Sequence, residues 1–509
     1  MTTTDIGAPA RPPAASAPAP GSEGAPWWRL AVPGLVIGAL TAWYRLDHRG
    51  LWLDEAYTLG STHQLRSAVP ETSWTMSAYY ALMRGWFWVS ESVWWMRSLS
   101  VLAALAAIAV TVVVARRLVG DREARLAGVL MALSPLWLTY AQEARSYAFV
   151  MLFVAGSWLA FDHAVVDEDP LHQRRWWLVH TAVAVVLPML HGLALLQLLP
   201  QLGLLLVIRV DRATWLRAVR GLGLATLLTA ALARTASEDV GDWVDTVSGK
   251  TIFLFVKRFL SRWPLVCLGL VLVVLLGAVI TVVASRRAPT AVARARALVP
   301  ALWGLAPLVL LLLLSLVRPS LVPRYAVGSV PGLALLMAIA VERLGRVRGY
   351  AAPVLRAAAA IAVAIALVAG QAYLHTRPID GWTVAARRVA AGLEPGDTIL
   401  ISRESTSRPP FEAAWRSVEP AADPQLVPAD RPLGEVLRFE PDETPGTERW
   451  NQARAAGRIW LVADPSRLEL DRLPSLTVDG TAGRPASHRE VARWRARRST
   501  IVVVLLEPI

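Results

Sequence analysis

Cysteine is almost absent. Of 509 residues only Cys267 carries a thiol, and it lies inside an apolar run. Intramolecular disulfides are thereby excluded, so any part of the chain outside the cytoplasm folds without them, and a Cys-rich zinc or iron–sulfur site is excluded too. The charged C-terminal stretch has no glycine-rich phosphate loop, no His/Cys cluster and no G-x-S-x-G, and so lacks these signatures of nucleotide, metal or serine-nucleophile chemistry. Acidic residues are outnumbered, 39 against 52 basic, for a formal charge of +13. In a soluble protein that excess would suggest nucleic acid as a partner. Here the arginines cluster between apolar runs, where they set orientation in a membrane, and nucleic acid is set aside.

What is abundant is apolar surface: a hydrophobic fraction of 55% and a mean hydropathy of +0.43. It comes in long uncharged blocks, which specify a polytopic α-helical membrane protein. Residues 1–26, rich in Pro, Ala, Ser and Gly, cannot bury a core and read as a disordered cytoplasmic tail. The first span is Trp27 to Tyr44, a retained anchor rather than a cleaved signal, because the leading segment is barely basic and no A-x-A site follows. Further spans are expected near 98–115, 126–141, 146–161, 176–191, 192–208, 216–233, 264–284, 297–317, 325–341 and 355–373, about eleven in all.

Arginine-rich connections at 116–125, 174–175, 209–220, 286–296 and 343–356 alternate with connections that are short or of mixed charge. The positive-inside rule makes the first set cytoplasmic, together with the N-terminus. The loops holding Asp54-Glu55, Glu143, 234–263 and Arg318–Arg324 then face outward, and an odd number of spans puts the C-terminal region outside as well. From about 374 charge and proline return. Trp382 to Leu393 reads as an amphipathic helix, 398–402, 458–463 and 500–506 as buried strands, and 411–417 and 487–497 as helices. Residues 374–509 are therefore expected to form an extracytoplasmic α/β domain beside a membrane domain spanning 27–373.

Three polar stretches on the outer side carry the chemistry. Leu53-Asp54-Glu55-Ala56-Tyr57 follows the first span. Tyr140-Ala141-Gln142-Glu143-Ala144-Arg145-Ser146-Tyr147 makes a tight turn between two spans, and Pro323-Arg324-Tyr325 opens another. Each has a bland reading as a solvated turn, a local ion pair or an interfacial anchor. Acids beside a bilayer with basic partners are costly unless paired or functional, and three such sites on one face suit group transfer from a lipid phosphate. A carboxylate would deprotonate an acceptor hydroxyl, and an arginine fork would hold the departing phosphate. The loop 46–97, with Trp52, Trp74, Trp86, Trp88, Trp94 and Trp95, suits the headgroup level, and Ala78 to Val89 reads as a helix lying on the surface. His191, Gln197 and Gln201 read as helix–helix hydrogen-bonding groups. Two adjacent carboxylates can attract a divalent cation, but without a third ligand no metal site is assigned.

These three strings resemble the GT-C glycosyltransferases, specifically the family 39-like branch of protein O-mannosyltransferases and the bacterial lipid A aminoarabinose transferase. The resemblance covers about 27–373 and is strongest over 50–150. It implies an integral-membrane, inverting transferase of the bacterial cell envelope. Such an enzyme moves mannose or another hexose or pentose from a polyprenyl-phosphate donor to a glycan, lipid or protein acceptor. It also implies Asp54 as base, Glu55 as an orienting acid, and Arg324 and Arg145 at the donor phosphate, with Gln142, Glu143, Tyr57 and Tyr325 in support. One departure stands out: relatives carry an acid or His near the position of Ser73 in Ser73-Trp74-Thr75-Met76-Ser77-Ala78-Tyr79-Tyr80. A lipid-linked sugar flippase, or an envelope scaffold without catalysis, remain the alternatives. Clean spans with acids at their ends favour the enzyme over a transporter.

Overall fold

Runs of 20 or more apolar residues leave the backbone no partners in a bilayer but their own, so helix dominates the membrane part of this computed structural model. The structure describes residues 26–71, 75–234, 244–261, 263–344, 352–375, 381–401, 404–418, 420, 422, 425–427, 457–463, 488–495 and 501–509. The expected tail (Pro26 apart) and the departure at Ser73 lie outside the described residues.

In chain order, α1 is Trp27–Trp43; the first loop holds α2 (Leu53–His63), α3 (Leu65–Glu71) and α4 (Ser77–Trp86). The bundle continues with α5 (Val93–Val119), α6 (Asp121–Leu133), α7 (Pro135–Ala141), α8 (Tyr147–Val166), α9 (Pro170–Leu190), α10 (Leu199–Ile208) and α11 (Arg212–Ala233). A short α12 (Gly249–Phe259) precedes α13 (Pro264–Arg287), α14 (Ala291–Val317), α15 (Val330–Leu344) and α16 (Ala352–His375). Six of these units, namely α5, α8, α13, α14, Pro323–Leu344 and α16, are long and apolar enough to cross a membrane, and α6 with α7 makes a seventh if the bent pair is one span. The other four expected spans are occupied by α1, α9, α10 and α11, which do not meet both measures among the described residues.

Three expected spans are broken rather than clean. The chain bends by 63° between α6 and α7, where Pro135 lacks the N–H a continuous helix needs. Tight 3₁₀ segments, Gly192–Gln197 and Pro323–Ser329, replace the starts of the spans expected at 192–208 and 325–341. The second contains Ala326 at φ −112° and ψ 15°, outside helical values. Glycine allows the closest crossings: a Cβ on Gly34 of α1 would lie 2.6 Å from the carbonyl of Gly128 on α6, and one on Gly304 of α14 would lie 3.0 Å from the backbone of Gly332 on α15. The Pro323–Leu344 unit is the central helix, with 89% of its apolar window buried against 17% for α16. α4 is present where a surface helix was expected, but Tyr79, Tyr80 and Met83 are buried, because it packs on α2 and α9. Its other face, with Leu82, and the residues just past its end, Trp88 and Val89, stand exposed.

The C-terminal part contains α17 (Gly381–Gly392), α18 (Glu404–Trp415) and strands β1 (Thr398–Ile401), β2 (Gln425–Val427), β3 (Ile459–Ala463), β4 (His488–Arg495) and β5 (Val502–Pro508). They form a mixed sheet in the order β2-β1-β3-β5-β4, parallel among β2, β1 and β3 and antiparallel at β5 and β4. Between α17 and β1, Glu394-Pro395-Gly396-Asp397 turns with Gly396 at φ +89° and the Asp397 N–H on the Glu394 carbonyl at 3.0 Å, which needs proline second and glycine third. The helix expected at 487–497 is instead the edge strand β4. Its charges face outward, as edge strands require, and it is fixed by pairing with β5 and by Trp494 stacked on Trp460 at 5.6 Å, neither of which is local. The helix expected at 411–417 begins seven residues earlier and carries Pro409 and Pro410 within it.

Candidate active site

α2 begins immediately after Trp52, so Asp54 and Glu55 lie in its first turn, where carboxylates complement the positive end of the helix dipole. Neighbouring residues on a helix point about 100° apart, and the two acids accordingly go different ways. Glu55 turns into the protein and is fully buried. Arg97, at the start of α5, grips it with both arms of the fork, Nε to Oε1 at 2.8 Å and Nη2 to Oε2 at 2.7 Å. The remaining guanidinium protons reach the carbonyls of Leu46, Arg49 and Gly50 at 2.8–2.9 Å. The Ala144 N–H adds a third bond to Glu55, at 2.8 Å. Glu55 thus ties α2, α5 and the 142–146 turn together.

Asp54 points the other way, with 18% of its side chain exposed. Arg324 donates from Nη1 to Oδ2 at 3.0 Å, and Arg145 Nη2 stands 3.8 Å from the same oxygen. Arg145 is itself held, since its Nη1 donates to the Asp54 carbonyl at 2.9 Å and to the Thr58 hydroxyl at 3.2 Å. Two guanidinium groups from distant parts of the chain therefore converge on one carboxylate. Glu55 is already paired with Arg97, so among the described residues Asp54 is the carboxylate that these two guanidinium groups share. Rings close it: His191 lies 5.9 Å from Tyr147 and 4.7 Å from Tyr325, Tyr140 lies 4.9 Å from Tyr147, and Arg324 sits over Tyr325 at 5.7 Å. The helix breaks place Tyr140, His191 and Tyr325 here rather than along continuous helix faces.

The 142–146 turn holds the remaining expected residues. Gln142 donates to the carbonyls of Ala42 at 3.0 Å and Tyr44 at 3.1 Å, closing the end of α1, and accepts from Arg49 at 3.4 Å. Glu143 has one carboxyl oxygen, Oε2, without accessible surface or hydrogen-bond partner. Burial first, then the charges of Glu55 and Asp54, push its carboxyl up to about 8 against the opposing pull of Arg49 and Arg324. Tyr57 lies half-buried on α2. Of the groups read as helix–helix partners, Gln201 bonds His180 at 2.6 Å and Ser157 at 2.9 Å, whereas His191 packs against the tyrosine rings. Gln197 abuts Gly328, with a buried Oε1 that has no partner among the described residues. Among the described residues no three His, Cys, Asp or Glu groups converge as a metal cage; Glu55 faces Arg97, and Asp54 faces Arg324 and Arg145. Arg97 escaped the sequence reading. Its signal was an arginine opening an apolar run at the end opposite the arginine-rich connections.

Helices around a carboxylate–arginine cluster, with a small mixed sheet following in the chain, make a fold that resembles those of the GT-C membrane glycosyltransferases ArnT and AglB. ArnT from Cupriavidus metallidurans, solved bound to undecaprenyl phosphate, superposes with a TM-score of 0.57 at 18% identity over 95% of this chain and 98% of that one. The archaeal oligosaccharyltransferase AglB from Archaeoglobus fulgidus, in complex with an inhibitory peptide and a dolichol-phosphate, superposes with a TM-score of 0.55 at 11% identity over 86% of this chain and 69% of that one. No protein-family model and no curated protein matches the sequence.

Proposed function

We propose that the protein is a membrane glycosyltransferase that moves a sugar from a polyprenyl-phosphate donor to an acceptor hydroxyl outside the cytoplasm, with inversion. The observation that carries this reading is the convergence of Arg145 and Arg324 on Asp54. Two arginine forks meeting in one place suit an anion, and they match the oxygens of a phosphodiester. The solved complexes of ArnT with undecaprenyl phosphate and of AglB with a dolichol-phosphate, on the same fold, support a polyprenyl-phosphate donor.

In this mechanism the donor phosphate draws the two arginines from Asp54. Freed of them, the carboxylate of Asp54 has lone pairs open to the acceptor hydroxyl. It takes the proton of the acceptor hydroxyl as that oxygen bonds to the anomeric carbon, and the carbon–phosphate oxygen bond breaks on the far side. Polyprenyl phosphate leaves with the bonding pair, its charge held by Arg145 and Arg324. Glu55 is a positioning residue in this scheme, since Arg97 and Ala144 occupy its oxygens. Residues 27–373 form the catalytic membrane domain with about eleven spans, a cytoplasmic N-terminus, and residues 374–509 as an extracytoplasmic domain. Mannose and other hexoses or pentoses are candidate sugars.

The test is release of free polyprenyl phosphate and labelled product by purified protein in liposomes, with a panel of polyprenyl-phosphate sugars. Asp54→Asn should bind donor lipid and lose roughly 10²-fold or more in turnover. The helix breaks also suit a transporter; passage of intact lipid-linked sugar across the liposome without cleavage would establish that reading instead.

A further inference from the structure

Within the 142–146 turn every residue but one is tied to another element. Gln142 closes α1, the Ala144 N–H bonds Glu55, and Arg145 reaches Asp54 and Thr58. The Ser146 hydroxyl donates to the Leu190 carbonyl at 2.7 Å, and the turn is tightened by the Arg145 N–H on the Glu143 carbonyl at 2.8 Å. Glu143 alone has no side-chain partner among the described residues, and its Oε2 has no accessible surface. Buried polar atoms are almost always bonded, so an unbonded one on so firmly held a turn calls for a ligand. The residue as a whole keeps part of its surface exposed.

The geometry points to Glu143 as a substrate-contacting group whose carboxyl hydrogen-bonds a hydroxyl of the donor's sugar; the inference rests on the transferase reading above. The charged and titratable groups that face it are Asp54 and Glu55 of α2, Arg49 ahead of that helix, Tyr140 of α7, and Arg324 ahead of α15. Burial and the two neighbouring carboxylates favour the protonated form against the two arginines, up to about pH 8. A protonated carboxyl offers one O–H to give and acceptor oxygens besides, which suits a hydroxyl; a carboxylate only accepts. An ionised Glu143 would set a second negative charge beside Asp54 and oppose a phosphate arriving at Arg145 and Arg324. On this assignment Glu143 holds the sugar and Asp54 serves as base.

The experiment compares binding of bare undecaprenyl phosphate with binding of undecaprenyl phosphates carrying mannose, glucose or arabinose, in detergent between pH 6 and 9.5. The wild type should bind at least one sugar-bearing lipid more tightly than the bare lipid, by about 5- to 20-fold, as one good hydrogen bond allows. That preference should fade as the pH rises through 8, because the carboxyl then has no O–H to give to the oxygen of the sugar hydroxyl. Glu143→Gln, which is neutral at every pH, should keep the preference and lose the alkaline decline. Glu143→Ala should lose the preference while binding bare undecaprenyl phosphate like the wild type. A sugar preference surviving in Glu143→Ala, an alkaline decline surviving in Glu143→Gln, or no preference in the wild type would overturn the assignment. A wild type that shows the preference yet never releases polyprenyl phosphate would instead overturn the transferase reading and leave the sugar contact standing.

Discussion

Replacing Arg97 by methionine probes what holds the site in place. Methionine has similar length and no charge, so Arg97→Met removes the fork while filling most of the space. Glu55 is fully buried, its side chain at 0% exposure against 3% for Arg97. In the variant it would keep only the Ala144 N–H as a partner. Removing one member of a buried pair costs about 3–5 kcal/mol, because the other charge is left uncompensated. The lost bonds to the carbonyls of Leu46, Arg49 and Gly50 add to that figure, as each net hydrogen bond contributes about 1 kcal/mol. The effect on function should exceed the effect on folding. Asp54 is the next residue on the same helical turn, and misplacing a reacting group by about 1 Å can cost 10²-fold in rate. Equilibrium unfolding in mixed micelles, followed by tryptophan fluorescence, gives the stability; polyprenyl phosphate release gives the rate. The double variant Arg97→Met/Glu55→Leu removes both charges and should be more stable than Arg97→Met alone, with a coupling of about 2 kcal/mol or more. If Arg97→Met unfolds within 1 kcal/mol of wild type, or the double variant is no better than the single, the pair is not what anchors α2.

Arg324→Lys keeps the charge but loses the fork and should weaken both donor binding and turnover; undiminished binding of undecaprenyl phosphate in Arg324→Ala would remove this residue from the phosphate site. Alkaline phosphatase fused after Glu394 should be active and the same fusion after Arg287 inactive, and an inactive fusion at 394 would reverse the proposed orientation.

The parts of the site that were legible in the sequence are those whose signal is local. An Asp-Glu pair just past an apolar run, a Gln-Glu-Ala-Arg turn between two runs and an arginine opening another are each visible within eight residues. Their meeting at Asp54 was inferred from membrane sidedness, and the structure brings them within 4 Å. The resemblance implied different roles for Asp54 and Glu55, but the physical cause of their different settings was not legible, since it depends on Arg97, 42 residues beyond Glu55. The breaks before α10 and α15 were missed because hydropathy registers apolarity and not the direction of the backbone, so Gly192–Gln197 and Pro323–Ser329 read as ordinary span starts. β4 was misread for a related reason. Its arginines satisfy a helical pattern as well as an edge strand, and only β5 decides between them.

Sequence separation at the site has a consequence for biogenesis. Asp54 meets Arg324 across 270 residues, and α18 packs on the Asp54-bearing α2, with Arg416 bonded to Glu91 across 325 residues. A chain emerging from the ribosome and inserting helix by helix passes through many states in which α2 is made but Arg324 is not. In each of them Asp54 has at most Arg145 beside it, and no two-arginine seat for a phosphate exists. On the proposed function, competence to bind the donor therefore arrives late and all at once, after the broken helix at Pro323 has entered the bundle. On the same reading, a half-made or prematurely terminated chain would sit in the membrane without consuming a lipid-linked sugar pool.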